Sequence, residues 1–482
     1  MAVLSEAPAA PASIAEPPLV VDLDGTLLRS DSLVESLLAL AHARPWALLA
    51  LPAWLLQGRA RLKQALAAAS QVDVATLPFD ARLVEQLRHE QRRGRRLVLA
   101  TAADRGLAQA VAAELGLFDQ VLASDGTTNL AGAHKRDALV RRFGLHGFDY
   151  VGDSRRDLPV WAAARCAWVV GPTPRLEQAA RAVARIDRIV PRPRPGPAAW
   201  LRAMRLHHWP KNLLLLVPLV AANRLYEPRL LAAVLAGALA FCLAASGVYL
   251  LNDLLDLGTD RRHPHKRRRA LASGLLPLAG ALALLPLLWL AAGLLALAVG
   301  HAFAAALGIY VATMIVYSLG LKDVAIVDAL VLAGGYTLRI GAGALAAGIG
   351  VSPWLMVSSV ALFFGLALLK RYAELVTLRP GLAPGGRVRA YRVADAALVS
   401  GTGVAAGCVA VALLATYPLV EPTGAPRATV WPLAALLLLW TGRMWLMAHR
   451  GAIHDDPVAF ALRDRPSRAL GLLTAALLLL SR

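Results

Sequence analysis

Charged residues are scarce in this sequence: they make up 17% of 482 residues, whereas hydrophobic residues make up 57%. A soluble protein of this length needs far more polar surface, so most of the chain is predicted to lie in a membrane. Acidic residues are the rarer sign, with 32 Asp and Glu against 51 Lys and Arg. The basic residues gather in short tracts beside apolar segments, without a base-reading motif. Membrane orientation and phosphate-bearing ligands therefore explain the positive charge better than nucleic acid does.

Cysteine is almost absent. The three cysteines, Cys166, Cys242 and Cys408, are too far apart for a metal site or a disulfide framework, so they are interpreted as packing residues. Residues 1–17 are rich in Ala and Pro and lack the basic and apolar regions of a signal peptide. This segment is predicted to be a disordered tail, and we expect the N-terminus to stay in the cytoplasm.

Apolar runs long enough to cross a bilayer are missing from residues 18–185. Short apolar segments alternate there with charged helical ones, which is typical of a soluble α/β domain. Its parallel strands are predicted at 18–21, 96–100, 150–152 and 167–170. Residues 186–199 include Pro-Arg-Pro-Arg-Pro-Gly-Pro, which fits neither a helix nor a sheet, so they are predicted to form a linker.

From residue 200 to 482 the pattern changes to long apolar runs, as expected for membrane-spanning helices of about 20 residues. We predict an all-α bundle of about nine such helices, at 212–226, 229–251, 275–296, 300–319, 324–347, 353–370, 395–419, 429–447 and 467–481. If the N-terminal domain is cytoplasmic, the loops that return to the cytoplasm carry nearly all the Lys and Arg of this half. That distribution agrees with the positive-inside rule.

Two aspartates follow the first predicted strand directly, in Asp22-Leu-Asp24-Gly-Thr. Two carboxylates one residue apart can take different roles in phosphoryl transfer. One attacks phosphorus as the nucleophile, and the other transfers the leaving-group proton. Thr101 follows a second strand, Lys135 precedes a helix, and Gly-Asp153-Ser-Arg-Arg-Asp follows a third strand.

This order of four motifs resembles the haloacid dehalogenase superfamily of phosphatases, over roughly residues 18–180. The resemblance implies a Rossmann-like fold in which Asp22 is the nucleophile and Asp24 the general acid and base. Thr101 and Lys135 would stabilise the transferred phosphoryl group. The residues implied to hold Mg²⁺, with a supporting residue last, are Asp22, Asp24, Asp153 and Asp157. The alternative is a domain kept as a structural appendage without activity.

A helical cap is predicted at residues 31–90, between the first two motifs. Its segment 45–56 contains two tryptophans, is followed by three basic residues, and is too short to cross a bilayer. This segment either rests on the membrane surface or is an ordinary buried cap helix, and the sequence supports both alternatives equally.

A cluster of polar residues ends one of the predicted spans: Asn252, Asp253, Asp256 and Asp260. Three of these residues stand four apart, so a helix would place them on one face. Acidic groups at a membrane edge are costly unless they face a polar cavity or a cation, and Mg²⁺ shares oxygen ligands with phosphates. A magnesium-diphosphate site is therefore predicted, with a plain mixed-charge loop as the alternative. A second cluster, with Asp328 and Arg339 inside apolar runs, also needs polar partners.

These clusters resemble the UbiA superfamily of intramembrane prenyltransferases, over roughly residues 200–480. The segments 205–212, 263–266 and 370–375 resemble its decaprenyl-phosphate phosphoribosyltransferase branch, although Ala270 stands where that branch tends to have proline. The residues indicated for substrate binding, beside Asp157 in the first domain, are Lys211, Asn212, His263, Lys266, Arg269, Tyr317, Lys322, Asp328, Arg339, Lys370 and Arg371.

The resemblance implies transfer of 5-phosphoribose from phosphoribosyl pyrophosphate to a polyprenyl phosphate at the bacterial inner membrane, with Mg²⁺ in both domains. The fused phosphatase would remove the 5-phosphate, and no nucleic acid is expected as a partner. Two alternatives stay open. One is an aromatic prenyltransferase that uses a polyprenyl diphosphate and a quinone or haem precursor, and the other is a transporter or flippase for a phosphorylated lipid.

Overall fold

The computed structural model describes residues 16–125, 127–350, 352–376, 387–388, 390–420, 427–453 and 457–480. The chain divides into two compact units. The first comprises Met1–Trp200 and Asp253–Ala281, and the second comprises Leu201–Asn252 and Leu282–Arg482. Three of the four residues of the first polar cluster, Asp253, Asp256 and Asp260, therefore belong to the same unit as the α/β domain.

A six-stranded parallel sheet lies at the centre of the first unit. Its strands are β1 (Leu19–Val21), β2 (Leu97–Asp104), β3 (Gln120–Ser124), β4 (Asp149–Gly152), β5 (Ala167–Val170) and β6 (Ile186–Val190), in the order β3-β2-β1-β4-β5-β6. Val20 pairs with Val98 on one side and Tyr150 on the other, so β1 is central. Parallel strands covered on both faces are near-continuous apolar runs, which is why the four predicted strands are confirmed.

The helices of the first unit, one of which continues into the second, are α1 (Ser32–Ala43), α2 (Leu51–Leu56), α3 (Arg59–Ala69), α4 (Ala81–Arg92), α5 (Arg105–Leu115), α6 (Ala133–Phe143), α7 (Leu158–Ala163), α8 (Pro174–Val183), α9 (Pro197–Ala203) and α12 (Leu257–Arg262). Several begin at an aspartate whose carboxylate accepts backbone N–H groups, as Asp31, Asp80 and Asp104 do for α1, α4 and α5. Such caps satisfy amides that have no partner within the helix.

Two boundaries differ from the prediction. The sheet continues through β6, which pairs with β5, so the α/β domain extends five residues past the predicted end at 185. At the other border, α4 buries Leu83 and Leu87 in the core beside the sheet, so it belongs to the core rather than to the predicted cap 31–90. Local patterns missed both features, because strand pairing and helix packing depend on distant residues.

The second unit is helical. Its helices are α10 (Val217–Ala221), α11 (Pro228–Leu255), α13 (Leu278–Val299), α14 (His301–Leu319), α15 (Val327–Ala347), α16 (Pro353–Val376), α17 (Ala396–Val420), α18 (Arg427–His449), α19 (Pro457–Arg463) and α20 (Arg465–Leu480), beside a small hairpin of β7 (Arg387–Val388) and β8 (Tyr391–Arg392). Among the described residues, seven helices are long and apolar enough to cross a membrane: α11, α13, α14, α15, α16, α17 and α18. The chain is thus a multi-pass membrane protein.

Two of the nine predicted spans take another form. Residues 206–221 form a 3-10 helix, Leu206–Leu216, followed by the five-residue helix α10, since Pro210 and Pro218 remove backbone donors that a continuous helix needs. The last predicted span becomes α20, whose 16 residues are fewer than the roughly 20 that cross a bilayer. The 3-10 helix packs tightly against α15, because a Cβ on Gly343 would lie 2.0 Å from the carbonyl oxygen of Leu215.

Candidate active sites

The predicted nucleophile, Asp22, lies at the carboxyl end of β1 and is buried. Lys135, on α6, donates hydrogen bonds from Nζ to Asp22 Oδ1 at 2.7 Å and to the Tyr150 hydroxyl at 2.9 Å. Burial raises the pKa of Asp22, and Lys135 opposes that rise. A buried lysine thus neutralises a buried carboxylate at the point where a phosphoryl group would be attacked.

A group of three carboxylates lies beside this pair. Oxygens of Asp22, Asp153 and Asp157 approach within 4.8 Å of one another. Burial, with the negative charges of Asp157 and Asp22, raises the pKa of Asp153 to about 7. At Gly25, where φ is +76°, a Cβ would lie 2.4 Å from Asp153 Oδ2, so only glycine permits this approach. Closely spaced carboxylate oxygens without enough local positive charge fit a divalent cation such as Mg²⁺.

Asp157 accepts hydrogen bonds from the residues around this group of carboxylates. One carboxylate oxygen accepts the backbone N–H groups of Asp153 and Ser154, and the other accepts the Tyr150 hydroxyl at 2.9 Å. Through these bonds Asp157 orients the loop that carries Asp153.

Asp24 has a different environment from the one predicted. Its carboxylate accepts the Ser32 backbone N–H at 2.8 Å and the Ser32 hydroxyl at 2.9 Å, and it stands outside the group of three carboxylates. Its side chain is therefore directed toward the start of α1, away from the predicted metal role. Burial raises the pKa of Asp24 to about 7. A carboxyl group that can hold a proton near neutral pH suits the predicted role as general acid and base.

Thr101, on β2, is fully buried, and its hydroxyl accepts the backbone N–H of Ala103 at 3.0 Å. Beside it lies a lysine that the motifs did not indicate. Lys63, on α3, donates from Nζ to the Ala102 carbonyl at 2.7 Å and to Asn129 Oδ1 at 3.1 Å. Burial lowers the pKa of Lys63. The predicted cap therefore contributes a cation next to the Thr101 strand end.

Arg192 is a second residue that the motifs missed, since it falls in the predicted linker 186–199. Its guanidinium donates to the carbonyls of Gly25 and Thr26 at 2.5 and 2.6 Å, and to Asp80 Oδ2 at 2.9 Å. These bonds hold the turn that follows Asp24. No sequence signal distinguished this arginine from its neighbours between the prolines.

The first polar cluster of the membrane half is organised by an arginine. Arg269 donates to Asp253 Oδ1 at 3.1 Å and to Asp260 Oδ2 at 2.6 Å. The helix breaks between α11 and α12, with Asp256 as the N-cap position of α12, so the predicted single helical face is not continuous. Burial raises the pKa of Asp260, although Arg269 opposes the rise. In this structure Arg269 is thus the cation between Asp253 and Asp260, whereas the closely spaced group of three carboxylates in the described part of the chain is that of Asp22, Asp153 and Asp157.

Arg261 anchors the same segment within the first unit. Its guanidinium makes two hydrogen bonds to the carboxylate of Glu35 on α1, at 2.7 and 2.9 Å, and both side chains are nearly fully buried. The neighbouring pair, Arg262 with Asp73, is exposed. His263 and Lys266 lie on the exposed turn that follows, whereas Asn252 ends the portion of α11 that belongs to the second unit.

Arg339, on α15, is the centre of a buried cluster in the second unit. It donates to Asn212 Oδ1 at 2.8 Å, the Gly335 carbonyl at 2.6 Å and the Tyr310 hydroxyl at 2.9 Å. Lys211 Nζ lies 5.8 Å from the centre of the Tyr336 ring, which Arg339 also faces. The structure therefore brings together three predicted binding residues: Lys211, Asn212 and Arg339.

A second buried cluster of this unit joins α15 and α16. Arg371 donates from Nε to Asp328 Oδ2 at 2.6 Å, from Nη1 to Glu374 Oε2 at 2.7 Å and from Nη2 to the Tyr317 hydroxyl at 3.4 Å. The other Asp328 oxygen accepts the Tyr391 hydroxyl at 2.5 Å. Lys322 is buried in the 3-10 turn after α14, and Lys370 is half-buried on α16.

A cavity of about 920 Å³ opens among the helices of the second unit. Its wall is almost entirely apolar, with Phe363, Leu366, Leu437 and Trp440 as typical members. Lys211 and Arg468 are the cationic residues in the lining. The cavity thus offers an apolar volume with positive charge at its wall.

Comparison with known families identifies both parts. Residues 213–462 match the UbiA prenyltransferase family, and residues 19–161 match the haloacid dehalogenase-like hydrolases. The chain belongs to the UbiA prenyltransferase family and carries an N-terminal haloacid dehalogenase-like domain. It is an enzyme with a transferase domain and a phosphatase domain.

Three relatives illustrate which known proteins this chain is similar to. The uncharacterized protein y4nM of Sinorhizobium fredii is 37% identical over 466 residues, which cover 95% of this chain and 90% of that protein. The nodulation protein NoeC of Azorhizobium caulinodans is 36% identical over 56% of this chain and 88% of its own length. Decaprenyl-phosphate phosphoribosyltransferase of Corynebacterium glutamicum is 39% identical over 36% of this chain, which spans about half of that relative, 54%.

Proposed function

We propose that the transmembrane domain transfers 5-phosphoribose from phosphoribosyl pyrophosphate to a polyprenyl phosphate. An oxygen of the lipid phosphate attacks C1 of the ribose, the bond from C1 to the diphosphate oxygen breaks, and pyrophosphate leaves. The lipid phosphate is already an anion, so the reaction needs charge stabilisation more than a general base. The name of the partially covered Corynebacterium relative supports this choice of donor and acceptor.

The observation that carries the proposal is the bonding of Arg339. This buried arginine lies within a membrane helix, yet the hydrogen bonds it makes go to an amide oxygen, a backbone carbonyl and a phenol. Because these partners are neutral, they do not cancel the positive charge of the guanidinium, which can therefore attract an anionic ligand. The planar guanidinium also matches the geometry of a phosphate group. The phosphate groups of the donor and of the acceptor would each be such an anionic ligand.

The apolar cavity suits the other half of the acceptor. An isoprenoid chain gains free energy by leaving water for an apolar wall, while its phosphate needs a cation nearby. Lys211 lines the cavity and also faces Tyr336 near Arg339. We therefore assign the cavity to the lipid chain and Lys211 to its phosphate.

Mg²⁺ is the proposed cofactor of both domains, where it would neutralise charge on the departing pyrophosphate and on the transferred phosphoryl group. In the transferase, the carboxylates of Asp253, Asp256 and Asp260 would hold it, while Arg269 moves to the substrate. In the phosphatase, Asp22 and Asp153 would hold it, with Asp157 orienting the loop.

For the phosphatase domain, we propose that the lipid product of the transferase is the substrate. Asp22 attacks the phosphorus of the 5-phosphate, and Asp24 gives its proton to the departing O5 of the ribose. Asp24 then takes a proton from the water that hydrolyses the aspartyl-phosphate. The products are inorganic phosphate and a polyprenyl-phosphoryl pentose.

The proposed location is the bacterial cytoplasmic membrane, with the phosphatase domain in the cytoplasm. Phosphoribosyl pyrophosphate is a polyanion that does not cross a bilayer unaided, so its site must face the cytoplasm. The basic loops predicted on that side support the same orientation.

The decisive experiment uses the purified full chain in detergent with Mg²⁺, polyprenyl phosphate and radiolabelled phosphoribosyl pyrophosphate. Label should enter the organic phase, and Asp256→Ala should abolish that transfer while hydrolysis of para-nitrophenyl phosphate continues. Turnover of a polyprenyl diphosphate with an aromatic acid, without transfer of ribose, would assign the protein to the aromatic prenyltransferases instead. Lipid binding without either turnover would favour a transporter.

A further inference from the structure

The predicted cap carries an exposed apolar face that neither active site uses. It is formed by the 3-10 helix Pro45–Ala50 and by α2. Trp46, Leu49, Leu55 and Leu56 are 68, 85, 58 and 89% exposed. They are four of the seven large apolar side chains exposed in the described part of the first unit, and they fall within 12 residues. Such a concentration marks a contact surface rather than scattered exposure.

The charges around this face indicate its partner. From residue 36 to residue 72 the sequence contains no aspartate or glutamate, but four lysines and arginines. Arg44 and Arg61, which flank the face, are exposed. A second copy of the chain would bring like charges together, and an acidic protein surface would leave the leucines without apolar contacts. An anionic bilayer surface satisfies both the leucines and the arginines.

We propose that the face formed by Trp46, Leu49, Leu55 and Leu56 docks onto anionic lipid headgroups of the bilayer in which the chain is embedded. The segment is too short to cross the hydrocarbon core, so it lies in the interface. Tryptophan prefers that region, because its ring is apolar while its N–H needs a polar partner. The seven candidate spans of the same chain keep a bilayer available at high effective concentration.

Docking has a consequence for the phosphatase. The face lies between α1, whose first residue Ser32 binds Asp24, and α3, whose Lys63 binds the carbonyl of Ala102. Holding these helices at the membrane presents the Asp22 site to a phosphate carried by a lipid. This consequence rests on the proposed phosphatase function, whereas the docking itself does not.

Docking is tested directly by spin labelling. A nitroxide is placed at Leu56→Cys in a Cys408→Ser background of the full chain, since Cys166 and Cys242 are buried. In nanodiscs with phosphatidylglycerol, the label should be more accessible to oxygen than to a water-soluble nickel complex. A label at Leu145→Cys, also exposed, should show the opposite preference. Equal nickel accessibility at the two sites would overturn the proposal, and so would a label shielded from both reagents, which would indicate burial against protein.

A second variant tests the consequence. Leu49→Glu with Leu56→Glu should lower phosphate release from the phosphoribosyl lipid in nanodiscs by about tenfold, because the substrate is no longer presented. Hydrolysis of para-nitrophenyl phosphate should change less than about twofold, since it needs no membrane. Docking observed by spin labelling without hydrolysis of the lipid would reject the proposed phosphatase substrate and retain the surface.

Discussion

Arg371 and Asp328 form a buried ion pair that joins α16 to α15, with Nε 2.6 Å from Oδ2. Tyr391 occupies the other carboxylate oxygen of Asp328. Both residues were predicted to bind substrate, but each is satisfied by protein groups in this structure. Their first effect is therefore expected on the stability of the bundle.

Arg371→Met should destabilise the protein by about 3 kcal/mol, because it leaves a buried carboxylate without its cation. The unfolding midpoint in detergent measures this loss. The matched control is Arg371→Met combined with Asp328→Leu, which removes both charges and should recover part of the midpoint. An unchanged midpoint for the single variant would mean that the pair has no structural role.

Arg339 is expected to act on catalysis instead. Arg339→Lys keeps a positive charge but loses the fork that reaches Asn212 and Tyr310, so transfer of ribose to the lipid should fall by roughly 100-fold. Initial rates over a range of phosphoribosyl pyrophosphate and lipid concentrations measure the effect. Arg468→Lys, at the wall of the apolar cavity, is the control and should reduce transfer much less. Equal losses in the two variants would contradict a specific role for Arg339.

The soluble site was predictable mainly from the resemblance of its four motifs to the haloacid dehalogenase superfamily. That resemblance assigned Asp22 and Lys135, which are 113 positions apart, to one site, and the two side chains are in contact. Arg192 was not predictable, since its bonds to Gly25 and Thr26 depend on where the chain runs after β6. In the membrane half, the apolar runs around Asp328 indicated that it needs a polar partner, but they could not indicate that this partner is Arg371.

Asp22→Asn should stop the proposed second reaction and leave the first intact. The variant lacks the nucleophile, so labelled lipid should accumulate with its 5-phosphate retained. Thin-layer chromatography of the organic phase, before and after treatment with an added phosphatase, identifies that phosphate. With the unaltered chain the phosphate should be absent. If both chains yield the same lipid, the phosphatase domain acts on another substrate.

The lowered pKa of Asp80 predicts how the stability of the folded protein depends on pH. Burial by itself raises the pKa of Asp80, but Arg192 and Arg29 outweigh it and lower the pKa below its ordinary value. A lowered folded pKa gives stability that is present above the unfolded pKa, about 4, and is lost as pH falls through the folded pKa. Asp80→Asn should therefore cost about 2 kcal/mol at pH 7 and progressively less below pH 4.

Thermal unfolding of the full chain in detergent, followed from pH 7 to pH 3, measures this difference. Glu85→Gln, on the exposed face of the same helix, provides the control, because its ion pair with Arg92 is open to solvent. That variant should unfold like the unaltered chain throughout. If the unfolding temperatures of Asp80→Asn and the unaltered chain differ by the same amount down to pH 3, the charge of the carboxylate is not the cause of the stability difference.

The pair of Glu35 with Arg261 should order the segment that carries Asp260. Both side chains are nearly fully buried, so Glu35→Gln leaves a buried guanidinium without its counter-charge. Faster hydrogen exchange is expected across residues 257–276 of the full chain, together with slower transfer to the lipid. Asp73→Asn breaks the exposed pair with Arg262 and should alter neither measurement.

Because Glu35 lies on the helix that begins at Ser32, Glu35→Gln should also shift the pH profile of the phosphatase if α1 moves. A phosphatase profile that stays constant while exchange rises would confine the effect of Glu35 to the aspartate segment.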